Sequence, residues 1–112
     1  MKIEKEIQDK IQELQVSEQT MQNILLQKQA FQIESNETSA ALEELEKTKD
    51  EVYKIAGQLM LKSSKEDMKK EMSEKKKILD LRLKAIEKQE LLLKGKTDSL
   101  RQSIEESLKS KK

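Results

Sequence analysis

Val52-Tyr53-Lys54-Ile55-Ala56-Gly57-Gln58-Leu59-Met60-Leu61-Lys62 decides the fold. Two short runs rich in strand-favouring or apolar residues, Val52–Ile55 and Gln58–Lys62, flank Ala56-Gly57. That is the pattern of a β-hairpin. A tight hairpin needs positive φ near its tip, and Gly57 supplies it without steric cost. With Ala56-Gly57 as a two-residue loop, Val52 is expected opposite Leu61 and Tyr53 opposite Met60. Apolar side chains then occupy both faces. A lone two-stranded hairpin is marginal in water, and one with two sticky faces and open edges calls for cover from other subunits. A plain helix–loop–helix connection is the competing reading, but such loops are usually short and polar.

On either side of the hairpin the period changes from two to seven. Ile3, Ile7, Ile11, Leu14, Met21, Ile24, Phe31, Leu42 and Leu45 step mostly by three, four and seven, and so do Met68, Met72, Leu79, Leu83, Ile86, Leu93, Leu100, Ile104 and Leu108. Both are heptad stripes. Lys28, Ser35 and Thr38 fall on the first stripe, so its seam is partly polar. Pairing residues whose numbers add to about 114 puts the stripes in antiparallel register. Leu14 then meets Leu100, Met21 meets Leu93, Phe31 meets Leu83 and Leu42 meets Met72. Lys28 falls opposite Ile86 and Ser35 opposite Leu79. A lysine there can lay its methylenes along the seam and keep its ammonium wet. After the hairpin, Ser63 with Glu66, or Ser64 with Asp67, fits a helix capping box. The expected order is a helix over about 3–49, a hairpin over about 52–62 and a helix over about 65–109, within one domain spanning 1–112. Each helix would be roughly 65–70 Å long, with both termini together at the far tip.

Composition agrees and excludes a good deal. The 112 residues include no proline, cysteine, histidine or tryptophan, with 40% charged and 34% hydrophobic side chains. Absence of proline, with abundant Glu, Lys, Gln and Leu, favours long helices. So few apolar residues cannot fill a sizeable compact core. Without Cys or His there is no thiolate nucleophile, imidazole base, disulfide or Cys/His zinc site. Glu43-Glu44 and Glu105-Glu106 are carboxylate pairs, but neighbours on an exposed helix do not converge on a pocket. No phosphate-binding glycine loop is present. Neither an enzyme nor a cofactor is expected. The net charge of +1, with both signs interleaved, argues against nucleic acid. No run approaches a membrane span and no signal-peptide pattern opens the chain, so a soluble, cytoplasmic protein is expected. Asn36-Glu37-Thr38 matches the glycosylation sequon only as a short motif within a helix.

Two features stay open between a bland and a functional reading. Gly95 within the second helix is either a tolerated weak point or a bend. Ile3, Ile7, Ile11, Leu100, Ile104 and Leu108, near the two termini, either hold the helices together or, where the ends splay, offer apolar groups to other chains.

Three stretches carry a family resemblance. Ala41-Leu42-Glu43-Glu44-Leu45 closes the first helix, Glu51-Val52-Tyr53-Lys54-Ile55-Ala56-Gly57 carries a hairpin signature, and Lys76-Lys77-Ile78-Leu79-Asp80-Leu81-Arg82-Leu83-Lys84-Ala85-Ile86-Glu87-Lys88-Gln89-Glu90 resembles the start of a family's second helix. With them the chain resembles the β-class subunit of prefoldin, archaeal type. The resemblance implies an all-α dominated fold: an antiparallel two-helix coiled coil whose central hairpin joins an inter-subunit β-barrel. It implies a heterohexamer of two α-class and four β-class subunits, an ATP-independent chaperone that holds unfolded polypeptides at its coiled-coil tips and passes them to a group II chaperonin. Client contact is then expected at Ile3, Ile7, Ile11, Leu100, Ile104 and Leu108. Assembly is expected at Val52, Tyr53, Ile55, Gly57, Leu59 and Leu61. Lys109, Lys111 and Lys112 are candidates for the chaperonin contact. The alternatives are a coiled-coil adaptor without chaperone activity and an arm of a nucleic-acid enzyme.

Overall fold

The computed structural model describes residues 2–110, with side chains from Glu4 onward. Helix α1 (Lys2–Lys47) leads through a short connection to strands β1 (Val52–Ala56) and β2 (Leu59–Ser63), and helix α2 (Lys65–Ser110) follows. The expected elements are all present. Helix α1 stops two residues short of its expected end. The Lys65 ammonium donates to the carbonyls of Glu46 (3.2 Å) and Thr48 (3.4 Å), satisfying acceptors that the end of a helix leaves free. At the start of α2, Ser64 is the cap: its Oγ accepts the Asp67 N–H at 3.1 Å. Of the two capping boxes in the sequence, the second is used.

The strands pair antiparallel, but not in the expected register. Val52 pairs with Ser63, Tyr53 with Lys62, Lys54 with Leu61, Ile55 with Met60 and Ala56 with Leu59. The loop is therefore Gly57-Gln58, not Ala56-Gly57. Gly57 has φ +62°, and no other residue among the described ones has positive φ. Positive φ at the first loop residue alone is the type II′ pattern, which takes glycine there. Placing Gly57 second would have forced Ala56 toward positive φ, which a Cβ disfavours.

The chain forms two compact units. In the unit of residues 30–84, which includes the hairpin, the helices lie antiparallel over Ser35, Thr38, Leu45, Met68, Leu79 and Leu83, all buried. The polar members of this seam are satisfied. Ser35 Oγ donates to Asp80 at 3.1 Å and accepts from Lys76 at 3.2 Å, while Thr38 returns its hydroxyl to the Glu34 carbonyl at 2.8 Å. The Arg82 guanidinium lies 5.9 Å from the centre of the half-buried Phe31 ring.

In the unit of residues 1–29 and 85–112, Ile7, Ile24, Ile86 and Ile104 are buried, together with Ser17 and Thr97. Here the stripe departs from the expected one. Ile11 and Leu108 are exposed, at 40% and 50%. Lys10 and Ser107, the residues just before them, are half-buried in their place. The heptad must alternate steps of three and four to continue through Leu14, Ser17, Met21 and Ile24, and that rhythm passes through Lys10. Lysine is tolerated there because its ammonium reaches the Ser103 hydroxyl at 2.7 Å.

Candidate functional site

The hairpin presents apolar groups that nothing among the described residues covers. Directly paired residues share a face of a β-ladder. Val52, Lys54, Ala56, Leu59, Leu61 and Ser63 therefore lie on one face and Tyr53, Ile55, Met60 and Lys62 on the other. Tyr53, Ile55, Leu59, Met60 and Leu61 are all exposed, Ile55 to 72%, while Val52 is half-buried. The expectation of two apolar faces holds despite the shifted register, because that shift moves the partner by two residues and preserves the alternation.

Charges anchor the hairpin to its surroundings. The Lys54 ammonium lies 2.6 Å from Glu71 on α2. Tyr53 donates its phenol proton to Glu51 at 2.6 Å, and Lys62 lies 3.2 Å from the same carboxylate. These contacts, the phenol bond first, hold Glu51 below the usual carboxylate range, and Glu51 in turn pushes the Tyr53 phenol up. A groove of about 350 Å³ beside Val52 and Tyr53 reaches Met68 and Met72.

Near the termini, the six residues expected at the client site divide. Ile7 and Ile104 are buried at 7% and 8%, packed in the seam, and Leu100 is half-buried. Ile11 and Leu108 stand outside the seam. The Ile3 side chain lies outside the described residues, as do Lys111 and Lys112; Lys109 is exposed.

Other exposed apolar residues were absent from the expected sites: Met60 on the hairpin, and Leu25, Leu26, Leu91 and Leu92 on the helices. Their signal was present. Ile24-Leu25-Leu26 and Leu91-Leu92-Leu93 are apolar triplets, and three successive residues of a helix cannot all face one seam. Among the described residues, no His, Cys, Asp or Glu cluster is arranged to hold a metal ion, and no helix is long and apolar enough to cross a membrane.

Two antiparallel helices joined by one uncovered hairpin define a coiled-coil subunit built for assembly. Comparison with known proteins gives the family. The model of the prefoldin subunit family matches residues 8–111. The chain is 35% identical to the prefoldin subunit beta of Methanothrix thermoacetophila, covering 92% of this chain and 88% of that one. It is 36% identical to that of Pyrococcus furiosus, covering 93% and 91%. The crystal structure of the prefoldin beta subunit from Thermococcus strain KS-1 superposes with a TM-score of 0.85 at 34% identity, covering 92% of each chain. The chain belongs to the prefoldin family. It is a chaperone subunit of that family, and a member of a prefoldin complex with other subunits.

Proposed function

We propose that this chain is the β-type subunit of a cytoplasmic heterohexamer, four copies joining two α-class subunits, which captures unfolded polypeptides without ATP and passes them to a group II chaperonin. It acts as one prefoldin-type domain. The observation that carries the reading is the hairpin: a family member that leaves Tyr53, Ile55, Leu59, Met60 and Leu61 exposed needs neighbouring hairpins to cover them. Val52, Tyr53, Ile55, Leu59 and Leu61 make that interface, with Gly57 turning the loop. Client contact falls on Ile3, Ile11, Leu100 and Leu108, with Ile7 and Ile104 joining where the last turns part. Each contact is weak, and several arms acting on one client raise the effective concentration. Release remains possible because no single contact is strong.

The test is co-expression with an α-class subunit, native mass of the purified complex, and light scattering of a diluted, denatured client. The expected result is a hexamer that suppresses aggregation. A hexamer that gives no protection would make the chain a structural adaptor, and a failure to assemble would remove the hairpin from its role.

A further inference from the structure

On the reading that the chain binds unfolded polypeptides, we propose that a groove in the unit of residues 1–29 and 85–112 anchors one apolar side chain of such a polypeptide, with the Thr97 hydroxyl bonding to the neighbouring backbone. The groove measures about 310 Å³, and Met21, Leu25, Lys94 and Thr97 are among the residues that line it. That is at the small end of ligand pockets, a size for a side chain rather than a cofactor. Leu25 is exposed because Ile24 occupies the seam position beside it.

Thr97 is the unusual member. Threonines in these helices otherwise return their hydroxyl to the carbonyl four residues back: Thr20 to Val16 at 2.9 Å and Thr38 to Glu34 at 2.8 Å. Thr97 does not. It is 7% exposed and its Oγ1 is buried without a partner. A buried hydroxyl left unpaired is destabilising, so its own fold gives no reason for it. Rotation about χ1 carries Oγ1 to a different staggered position, and a helix leaves threonine two such wells. Oγ1 can therefore turn toward a bound chain.

The charged groups around the groove are largely engaged. Glu18 holds Arg101 at 2.7 Å, and Lys28 holds Glu90 at 2.9 Å. Asp98 adds to the field that stabilises Arg101. The unfilled requirements are thus an apolar surface at Leu25 and Met21 and one hydroxyl that can both donate and accept. An unfolded polypeptide meets both within one residue, since each apolar side chain carries an unpaired N–H and C=O beside it.

The experiment uses the assembled full-length protein and a glycine–serine peptide carrying a single leucine, with an all-glycine–serine peptide as control. Methyl resonances of Met21, Leu25 and Leu108 report the site. The leucine peptide is expected to shift Met21 and Leu25 saturably while the control does not. Thr97→Val is expected to weaken the leucine peptide about threefold while raising Tm, as loss of one hydrogen bond and removal of an orphaned hydroxyl require. Leu25→Ser is expected to weaken it about fivefold or more. Unchanged affinity in Thr97→Val with a raised Tm would reduce the hydroxyl to a seam defect or a water site and overturn the backbone contact. A response at Leu108 with Met21 silent would move the anchor elsewhere. Failure of the unmodified complex to protect a denatured client would instead overturn the chaperone reading itself, which separates the two outcomes.

Discussion

The Lys28 ammonium lies 2.9 Å from the Glu90 carboxylate, a charge pair set across the seam between two helices. Lysine was expected there with its charge turned to water. Instead of ending over Ile86, it reaches one turn further along α2 to Glu90. The hydrogen bond to Glu90 raises the Lys28 pKa, so the stabilisation is complete at neutral pH and fades only as strongly alkaline pH removes the proton. Replacing a charge pair in a helical seam by apolar residues of similar volume is often neutral or stabilising, and the best-attested use of such polar groups is to fix register. Lys28→Leu with Glu90→Leu is therefore expected to raise Tm, whereas Glu90→Leu alone leaves Lys28 without its acceptor and raises it less or lowers it. A double-mutant cycle on thermal melting, with no coupling found, would show that the pair is incidental.

Ile7 and Ile11 are four residues apart and should behave as different kinds of residue. Ile7 is buried in the seam; Ile11 is exposed beside Lys10. Ile7→Ser should destabilise by about 2 kcal/mol or more, as truncation of a buried isoleucine does. Ile11→Ser and Leu108→Ser should change stability by less than about 0.5 kcal/mol and weaken protection of an unfolded client. Thermal melting and light scattering on the same samples check both halves. Equal melting losses at Ile7 and Ile11 would return Ile11 to the seam.

The difference between these two residues shows where the sequence could be read and where it could not. Hairpin, helices, cap and antiparallel sense were legible because each has a local signal: Gly57, a heptad, a serine three residues before an acid. The seam near the termini was read by following apolar residues, which led through Ile11 and Leu108. The backbone follows period instead, and accepts Lys10, Ser17, Glu90 and Thr97 where period demands them. Lysine and glutamate tolerate this by extending to partners, a property of long side chains that hydrophobicity does not encode. The hairpin register was missed because both candidate loops contain Gly57. What separates them is whether the other loop residue must adopt positive φ, and Gln58 need not.

Glu51 and Tyr53 give the hairpin a pH dependence that can be observed directly, since Tyr53 is the only tyrosine and there is no tryptophan. Glu51 is held below its usual value by the Tyr53 phenol and Lys62. Its contribution is therefore present above about 4.5 and is lost as pH falls through the lowered value. The tyrosine is raised by the same bond. Glu51→Gln should bring phenolate absorbance in at lower pH than in the unmodified chain and flatten the acid change in tyrosine fluorescence. Identical alkaline titrations would mean that the hydrogen bond is not formed in solution.

Gly95 has open space where a Cβ would be added and no positive φ. Nothing in packing or backbone requires glycine, so Gly95→Ala should stabilise α2 by up to about 1 kcal/mol. If the glycine serves as a bend, client protection should fall as Tm rises. If it is only a weak point, protection should be unchanged. Gly57→Ala is the contrasting change: with φ +62°, a Cβ is strained there whatever the space, and the hairpin should loosen.

The assembly prediction follows from the observed pairing. Ile55 and Met60 are direct cross-strand partners on one face, while Leu59 and Leu61 lie on the other. Ile55→Asp with Met60→Asp places two carboxylates directly opposite each other. Like charges in that position oppose pairing, and each would be buried without a partner if hairpins pack together. Helix content should remain largely intact, because both residues are exposed on the hairpin. The high-mass complex should be lost or much weakened. Leu59→Asp with Leu61→Asp tests the other face by burial alone, since these two sit on one strand and pair with Ala56 and Lys54. Loss of assembly in both pairs would mean that both faces are covered in the complex. Loss in one pair alone would identify the covered face. Normal mass in both, with helix content unchanged by circular dichroism, would move the assembly site off the hairpin. Lys54→Ala, which breaks the 2.6 Å link to Glu71 without adding charge to an apolar face, serves as the control and should leave the mass unchanged.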